Sequence, residues 1–450
     1  MDQLLDEEPF DRALWGVAIA NPSGRIVYER NGDRLFVPAS NTKIVVAAVA
    51  TLMLSADFRY HTSVFGAGAV TDSTLHGDIV LYGRGDPALS NRFYPAHLTV
   101  FEALADSLRA RGIVRIDGDV VGDASYFDSL TIHPSWESYD LSWWYAAPVS
   151  ALAFNENTVD FRITPSASGQ PPLVYLEPDY GLALFTNHAR TVGVDAPRTI
   201  EFHRAPGSNA IWADGDVPQD ARPWSEQVSI QDGAIWAATA FKVALSNRGI
   251  AVSGRARATY DSTVYRAARA AGDLAGHDSP PLAELLEPIL QLSHNWYAEM
   301  LLKTLGREFA GVGSWDSGLA VERRFLADSL GIDTASFHIA DGSGLSHWNL
   351  MSPKTFVELL RFVRSRERGR AFIDALPVAG STGTLRGRYR NRLTGRVRAK
   401  TGTIANTNTL SGYLDGPGGT WTFSIQMNNH AAHSRDAQKR IDAIVQELTR

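Results

Sequence analysis

The 450-residue sequence contains no cysteine. That excludes disulfides, thiolate nucleophiles and Cys-based metal sites together. Lysine is nearly as scarce: only six of the 43 basic residues are lysine, at positions 43, 242, 303, 354, 400 and 439. Each lysine position therefore carries information. No run of like charges occurs and the net charge is −6, which gives no footing for nucleic acid or an anionic membrane surface. No apolar run reaches the length of a transmembrane segment. The N-terminal stretch MDQLLDEEPFDRALWGV is acidic and lacks the basic-then-apolar build of a signal peptide, so an exported form would have lost its signal ahead of Met1.

What is present reads as a globular protein, with 44% hydrophobic and 20% charged residues. The length exceeds one hydrophobic core, so two or three domains are expected. Residues 14–21 alternate as a strand, Pro22-Ser23-Gly24 turns the chain, and Arg25–Tyr28 begins the return strand. After Pro38, the spacing of Ile44, Ala47, Ala48 and Leu52 predicts a buried helix with Ser40 at its N-terminus. Residues 66–261 hold many short strand-like pieces with few long helices. Helices return at 283–305 and 353–365. Then VRAKTGTIA, TLSGYLD and TWTFSIQM read as strands, followed by an amphipathic terminal helix. The simplest architecture is α/β (α+β): the N-terminal hairpin and C-terminal strands share one antiparallel sheet covered by helices, and the β-rich middle is an insertion.

Three short motifs stand out: Ser40-Asn41-Thr42-Lys43, Ser293-His294-Asn295 and Lys400-Thr401-Gly402-Thr403. A serine hydroxyl needs an adjacent base to attack at neutral pH. Residues i and i+3 share a helix face, which puts Lys43 beside Ser40. Burial and a second cation, for which Lys400 is the candidate, would favour neutral Lys43. Ser293 would pass a proton between Lys43, Ser40 and a leaving amine, and Asn295 would hold substrate. Lys400, Thr401 and Thr403 suit a terminal carboxylate. Gly402 would let a substrate backbone approach an edge strand, and the amides of Ser40 and Thr403 would hold an oxyanion.

At these residues the sequence resembles the D-Ala-D-Ala carboxypeptidases of the low-molecular-mass class C penicillin-binding proteins, serine peptidase group S13. Further resemblances are GRGDPAL (83–89), GDVVGDASYFD (118–128), SALAFNEN (150–157), ADGSGLS (340–346) and LPVAGSTGTLRGR (376–388). His294 departs from the commoner Asp, and GRGDP from Gly-Gly-Asp-Pro. The resemblance implies a transpeptidase-like catalytic domain from 1–66 and 262–450. It also implies two nested small domains within 67–261, roughly 67–90 with 145–160 and 225–261, and 91–144 with 161–224. It implies peptidoglycan stem peptides ending in D-Ala-D-Ala as substrate, with accompanying endopeptidase action, and β-lactams as covalent inhibitors. No metal or organic cofactor is implied, and the location would be periplasmic or secreted.

Other features have plainer readings. The turn Asp341–Ser346 has no serine with Gly at both −2 and +2, so it reads as a support for the cleft rather than a second nucleophile. Trp136, Tyr139, Trp143, Trp144 and Tyr145 lean towards packing. His430 and His433 are too few for catalytic zinc. Arg361–Arg370 reads as an exposed helix end, and Glu287-Pro288 as helix lead-in rather than a deacylating loop. Two alternatives stand beside the peptidase: a β-lactamase or esterase of the same fold, and a non-catalytic wall-binding protein.

Overall fold

The computed structural model describes residues 1–270, 272–390 and 392–449. The chain divides into two compact units, one made of Met1–Arg59 with Pro281–Arg450 and the other of Tyr60–Pro280.

The first unit is organised by a five-stranded antiparallel sheet. Its strands are β1 (Leu14–Ala20), β2 (Ile26–Arg30), β3 (Val397–Ile404), β4 (Thr407–Gly416) and β5 (Gly419–Asn428), in the order β2-β1-β5-β4-β3. The two ends of the chain thus meet in one ladder, with Val17 opposite Ile425. Each strand sorts its residues by the two-residue pleat. Trp15, Val17 and Ile19 of β1, Val397 and Ala399 of β3, Leu410 and Leu414 of β4, and Phe423, Ile425 and Met427 of β5 share one buried core. The terminal helix Ser434–Glu447 closes that core with Ile441, Ile444 and Val445.

The opposite sheet face is small or polar. Ala18 and Ala20 pack on Val357 of the helix Pro353–Arg364, while Thr409, Ser411, Ser424 and Gln426 are buried polar side chains. Helix α1 (Lys43–Met53) has every residue from Lys43 to Thr51 buried, as a central helix hydrophobic all round should.

The sequence pattern over 283–305 reads as one helix, but the chain forms two, α2 (Leu282–Leu290) and α3 (Asn295–Ala310). The break falls on Ser293, whose φ of 61° is left-handed and incompatible with continuing the helix. The arginine-rich stretch ends one helix at Arg364 and enters another at Gly369. Glu287 lies on the exposed face of α2.

The second unit carries a seven-stranded mixed sheet, which includes the hairpin of His61–Thr71 with Thr74–Tyr82. Asp273–Asp278 pairs with His61–Thr71, so residues on both sides of the insertion belong to this sheet. Two three-stranded sheets lie in the same unit. Among many short strands, two longer helices, Thr99–Ala110 and Gly233–Asn247, lie within the β-rich stretch. Asp232 caps the latter, accepting from the amides of Ala234 and Ile235, a start signal that was present in the sequence. Of the aromatic group, Trp136 is buried whereas Tyr139 is exposed. Among the described residues, no helix is long and apolar enough to cross a membrane.

Phe423 lies between Ile19 and Gly412 across the ladder and is fully buried. Phe423→Ala is expected to destabilise the first unit by about 3–5 kcal/mol, read as a lowered urea midpoint.

Candidate active site

Ser40 lies in a single 3-10 turn, Ala39–Thr42, that runs directly into α1. The turn is pinned to the polar sheet face. Thr409 Oγ1 donates to Pro38 O at 2.9 Å, Asn41 Nδ2 donates to Ser411 Oγ at 2.7 Å, and Ser411 Oγ donates to Ser424 Oγ at 2.8 Å. Ala39 is held at φ 48°, a strained conformation for a residue with a Cβ. The nucleophile candidate is therefore aimed by a constrained backbone.

Lys43 follows one turn later and is wholly buried. Its Nζ donates to Ser40 Oγ at 2.9 Å, Asn295 Oδ1 at 2.7 Å and the Ser343 carbonyl at 2.6 Å. Burial lowers its pKa from 10.5 to about 7, against the opposing pull of the Asp341 and Glu299 carboxylates. Desolvation, the first of the two causes the sequence suggested, is the leading one. Burial foremost, and then repulsion from Lys43, holds Lys400 well below its usual value, and that repulsion between the two cations is mutual.

Lys400 sits on β3 opposite Ser411, on the sheet face that carries the Ser40 turn. Its Nζ donates to Ser293 Oγ at 2.8 Å and to Thr401 O at 2.7 Å. The second motif is thus shared out: Asn295 is bonded to Lys43, and Ser293 to Lys400. Thr401 Oγ1 donates to Thr384 Oγ1 at 2.9 Å, and Thr403 Oγ1 accepts from Asn408 Nδ2 at 3.0 Å. A hydroxyl that accepts keeps its own proton to donate, so Thr403 can still serve an anion. His294 is buried and meets the Tyr297 ring edge-on at 5.0 Å.

Gly402 has a further physical reason within the fold, beside the substrate approach that the sequence suggested. A Cβ there would collide with Thr409 Oγ1 and stand 2.8 Å from Pro38 O and 3.1 Å from Ser40 N. The space it leaves is filled by the Thr409 hydroxyl and the turn that bears Ser40. Gly344, at φ 80°, is required for the same reason: a Cβ would collide with the Ala39 carbonyl and reach 2.9 Å from Thr42 Oγ1.

The loop Asp341–Ser346 therefore forms part of the site wall. Buried Asp341 accepts from the amides of Gly344 and Ser346, each at 2.7 Å, and from Asn349 Nδ2 at 2.8 Å. Buried Glu299 accepts from Ser343 N at 2.7 Å, Gly342 N at 3.1 Å and Trp315 Nε1 at 2.7 Å. Neither Glu299 nor Thr384 was singled out in the sequence. The signal for Glu299 was its place one turn after Asn295, on the same face of α3. Away from this cluster, His433 accepts from the amide of Arg435 at the start of the terminal helix. Among the described residues no group of three or more His, Cys, Asp or Glu is placed to hold a metal.

A buried lysine bonded to a serine, a second lysine bonded to a second serine, and a Lys-Thr-Gly strand against the first serine's turn form one connected arrangement. The sequence profile of the D-Ala-D-Ala carboxypeptidase 3 (S13) family matches residues 1–449. The chain belongs to the S13 peptidase family. The D-alanyl-D-alanine carboxypeptidase of Actinomadura sp. (strain R39) is 34% identical to this S13 member over 444 residues, spanning 96% of this chain and 80% of that one. D-alanyl-D-alanine carboxypeptidase DacB of Haemophilus influenzae is 25% identical over 410 residues, spanning 90% of this chain and 83% of the relative. In fold, this S13 member is similar to the crystal structure of Haemophilus influenzae penicillin binding protein 4, with a TM-score of 0.88 at 23% identity, covering 100% of this chain and 99% of that one. A second structure of the Haemophilus protein, complexed with a β-lactam, superposes with a TM-score of 0.82 at 21% identity, over 100% and 99% of the two chains.

Gly402→Ala is expected to lower the rate of acylation by benzylpenicillin about tenfold or more, because the new methyl must push β3 or the Ser40 turn aside. Stopped-flow acylation alongside a thermal melt checks it.

Proposed function

We propose that this S13 family member is a penicillin-sensitive serine D-Ala-D-Ala carboxypeptidase that works through an acyl-enzyme on Ser40. The observation that carries the reading is the buried Lys43 Nζ at 2.9 Å from Ser40 Oγ, with burial bringing its basicity down to the working range. Lys43 takes the Ser40 proton as Oγ attacks the carbonyl carbon of the penultimate D-Ala. The amides of Ser40 and Thr403 hold the oxyanion. The C–N bond then breaks, and D-Ala departs with a proton delivered through Ser293. Water hydrolyses the ester and regenerates Ser40.

Among the described residues, no strand pairs with the outer edge of β3 beyond Arg398. A stem peptide added along that edge would place its terminal carboxylate near Lys400, Thr401 and Thr403, with Asn295 against the peptide. A carboxylate beside Lys400 favours its ammonium form and so offsets the cost of burial. Gly402 serves this scheme by keeping β3 close to Ser40. Endopeptidase action on cross-links uses the same chemistry on a longer leaving group. The family and the Actinomadura relative support the peptidoglycan substrate, and support a place of action at the cell wall, periplasmic or secreted. The β-lactam complex of the fold relative makes penicillin the natural probe.

Intact-mass spectrometry after incubation with benzylpenicillin should give a stable one-to-one adduct on wild type and none on Ser40→Ala. No adduct with penicillin intact would point to the wall-binding alternative; no adduct with penicillin destroyed would point to a β-lactamase. Because neutral Lys43 is the base, the acylation rate should fall as pH drops through about 7, and a pH–rate series on wild type checks it.

A further inference from the structure

Glu299 has no part in the acyl-transfer scheme, yet it is a fully buried carboxylate close behind the base. Burying a charge is costly unless it is paired and hydrogen-bonded. Here all three of its partners are N–H donors, and two are consecutive backbone amides, Gly342 and Ser343. The carbonyl of that same Ser343 accepts from Lys43 Nζ at 2.6 Å. The peptide unit bearing the carbonyl is held from its other end as well, since its amide, Gly344 N, donates to Asp341. Glu299 also lies four residues after Asn295 on α3. One face of this helix thus meets Lys43 twice, directly through Asn295 Oδ1 and indirectly through the loop.

We propose that Glu299 is the positioning residue of Lys43: its carboxylate clamps the loop whose Ser343 carbonyl fixes the Lys43 nitrogen, and its charge lies close behind that nitrogen. The proposal rests on reading Lys43 as the base for Ser40. A clamp alone could be built from neutral groups. The charge adds a second effect: burial first, and then Asp341, push the Glu299 carboxyl up to about 7 while its three N–H donors oppose them, and in its ionised form it joins Asp341 in favouring protonated Lys43 against desolvation. A base stripped of that support would be too weak to take the serine proton efficiently.

The other charged groups around Glu299 are Asp341 on the loop, Glu322 and Arg323 on the helix Trp315–Arg324, and Lys303 on α3. Glu322 is itself buried, and its carboxyl is pushed well up by desolvation, then by Glu299 and Asp341. Arg323 is committed to the Ile339 carbonyl at 2.8 Å, and Lys303 Nζ stands 3.8 Å over the Trp315 ring. Glu299 is the member of this group that bonds both the loop and the Trp315 indole.

The test is the pH dependence of benzylpenicillin acylation in wild type, Glu299→Gln and Glu299→Asp, each with a thermal melt. Glu299→Gln keeps the shape, loses the charge and faces an N–H donor with a second donor. Its plateau rate should fall about 10- to 100-fold, and its acid limb should move to lower pH, because Lys43 loses a favourable charge. Glu299→Asp keeps the charge but is one methylene short of the loop; its plateau should fall while the acid limb stays closer to that of wild type. If Glu299→Gln does not fold, Glu299→Asp decides alone: a wild-type plateau rate overturns the clamp. A folded Glu299→Gln with wild-type rate and limb overturns the proposal. So does a uniform loss at every pH with an unmoved limb, the mark of a merely structural residue. Wild type failing to form any adduct would instead sink the acyl-enzyme reading itself.

Discussion

The site depends on one constraint, the burial of the Lys43 side-chain nitrogen among three oxygen acceptors, one local and two from distant parts of the chain. Ser40 is local, Asn295 begins α3, and Ser343 lies on a glycine-rich loop. Lowering a lysine from 10.5 to about 7 means that ionising it in place costs about 5 kcal/mol more than in water. That cost is what remains after the pull of the Asp341 and Glu299 carboxylates, and the acceptors replace the lost water. The two critical glycines follow from the same constraint. Gly344 lets the loop press on Ala39, and Gly402 lets β3 press on Pro38 and Ser40; a Cβ at either position would separate the segments that must meet.

The sheet underneath divides its two faces between stability and function. One face is apolar and joins the terminal helix in a continuous core. The other places Thr409, Ser411 and Ser424 under the Ser40 turn. These hydroxyls satisfy polar groups that no helix or strand could satisfy, which is why a buried sheet face tolerates them. The Lys-Thr-Gly strand lies at the sheet's edge, where one side is anchored to β4 and, among the described residues, the other pairs with no strand beyond Arg398.

Much of this was legible in local pattern. The alternation in β1, β3, β4 and β5 and the turn residues between them foretold one antiparallel sheet made from both chain ends. The burial of α1 followed from its apolar spacing. Errors arose where a local signal was overridden or overlooked. The apolar periodicity of 283–305 runs through Ser293 without a glycine to mark the left-handed residue, so the break in the helix was invisible. The helices Thr99–Ala110 and Gly233–Asn247 were hidden among strand-like neighbours, although Asp232 had the form of an N-cap.

By itself, the sequence determined that Ser40 and Lys43 stand side by side, because the geometry of a single helical turn joins them and a lysine is rare enough here to be noticed. It also determined that Lys400 stands on a strand and that the chain ends share a sheet. Tertiary structure alone decided how these parts are wired: Asn295 to Lys43, Ser293 to Lys400, Gly402 against the Ser40 turn, and Glu299 to the loop that holds Lys43. The physical reason is range. Helical and strand spacing act over a few residues and leave a periodic trace, whereas a hydrogen bond between residues 44 positions apart is selected by burial and geometry and leaves none.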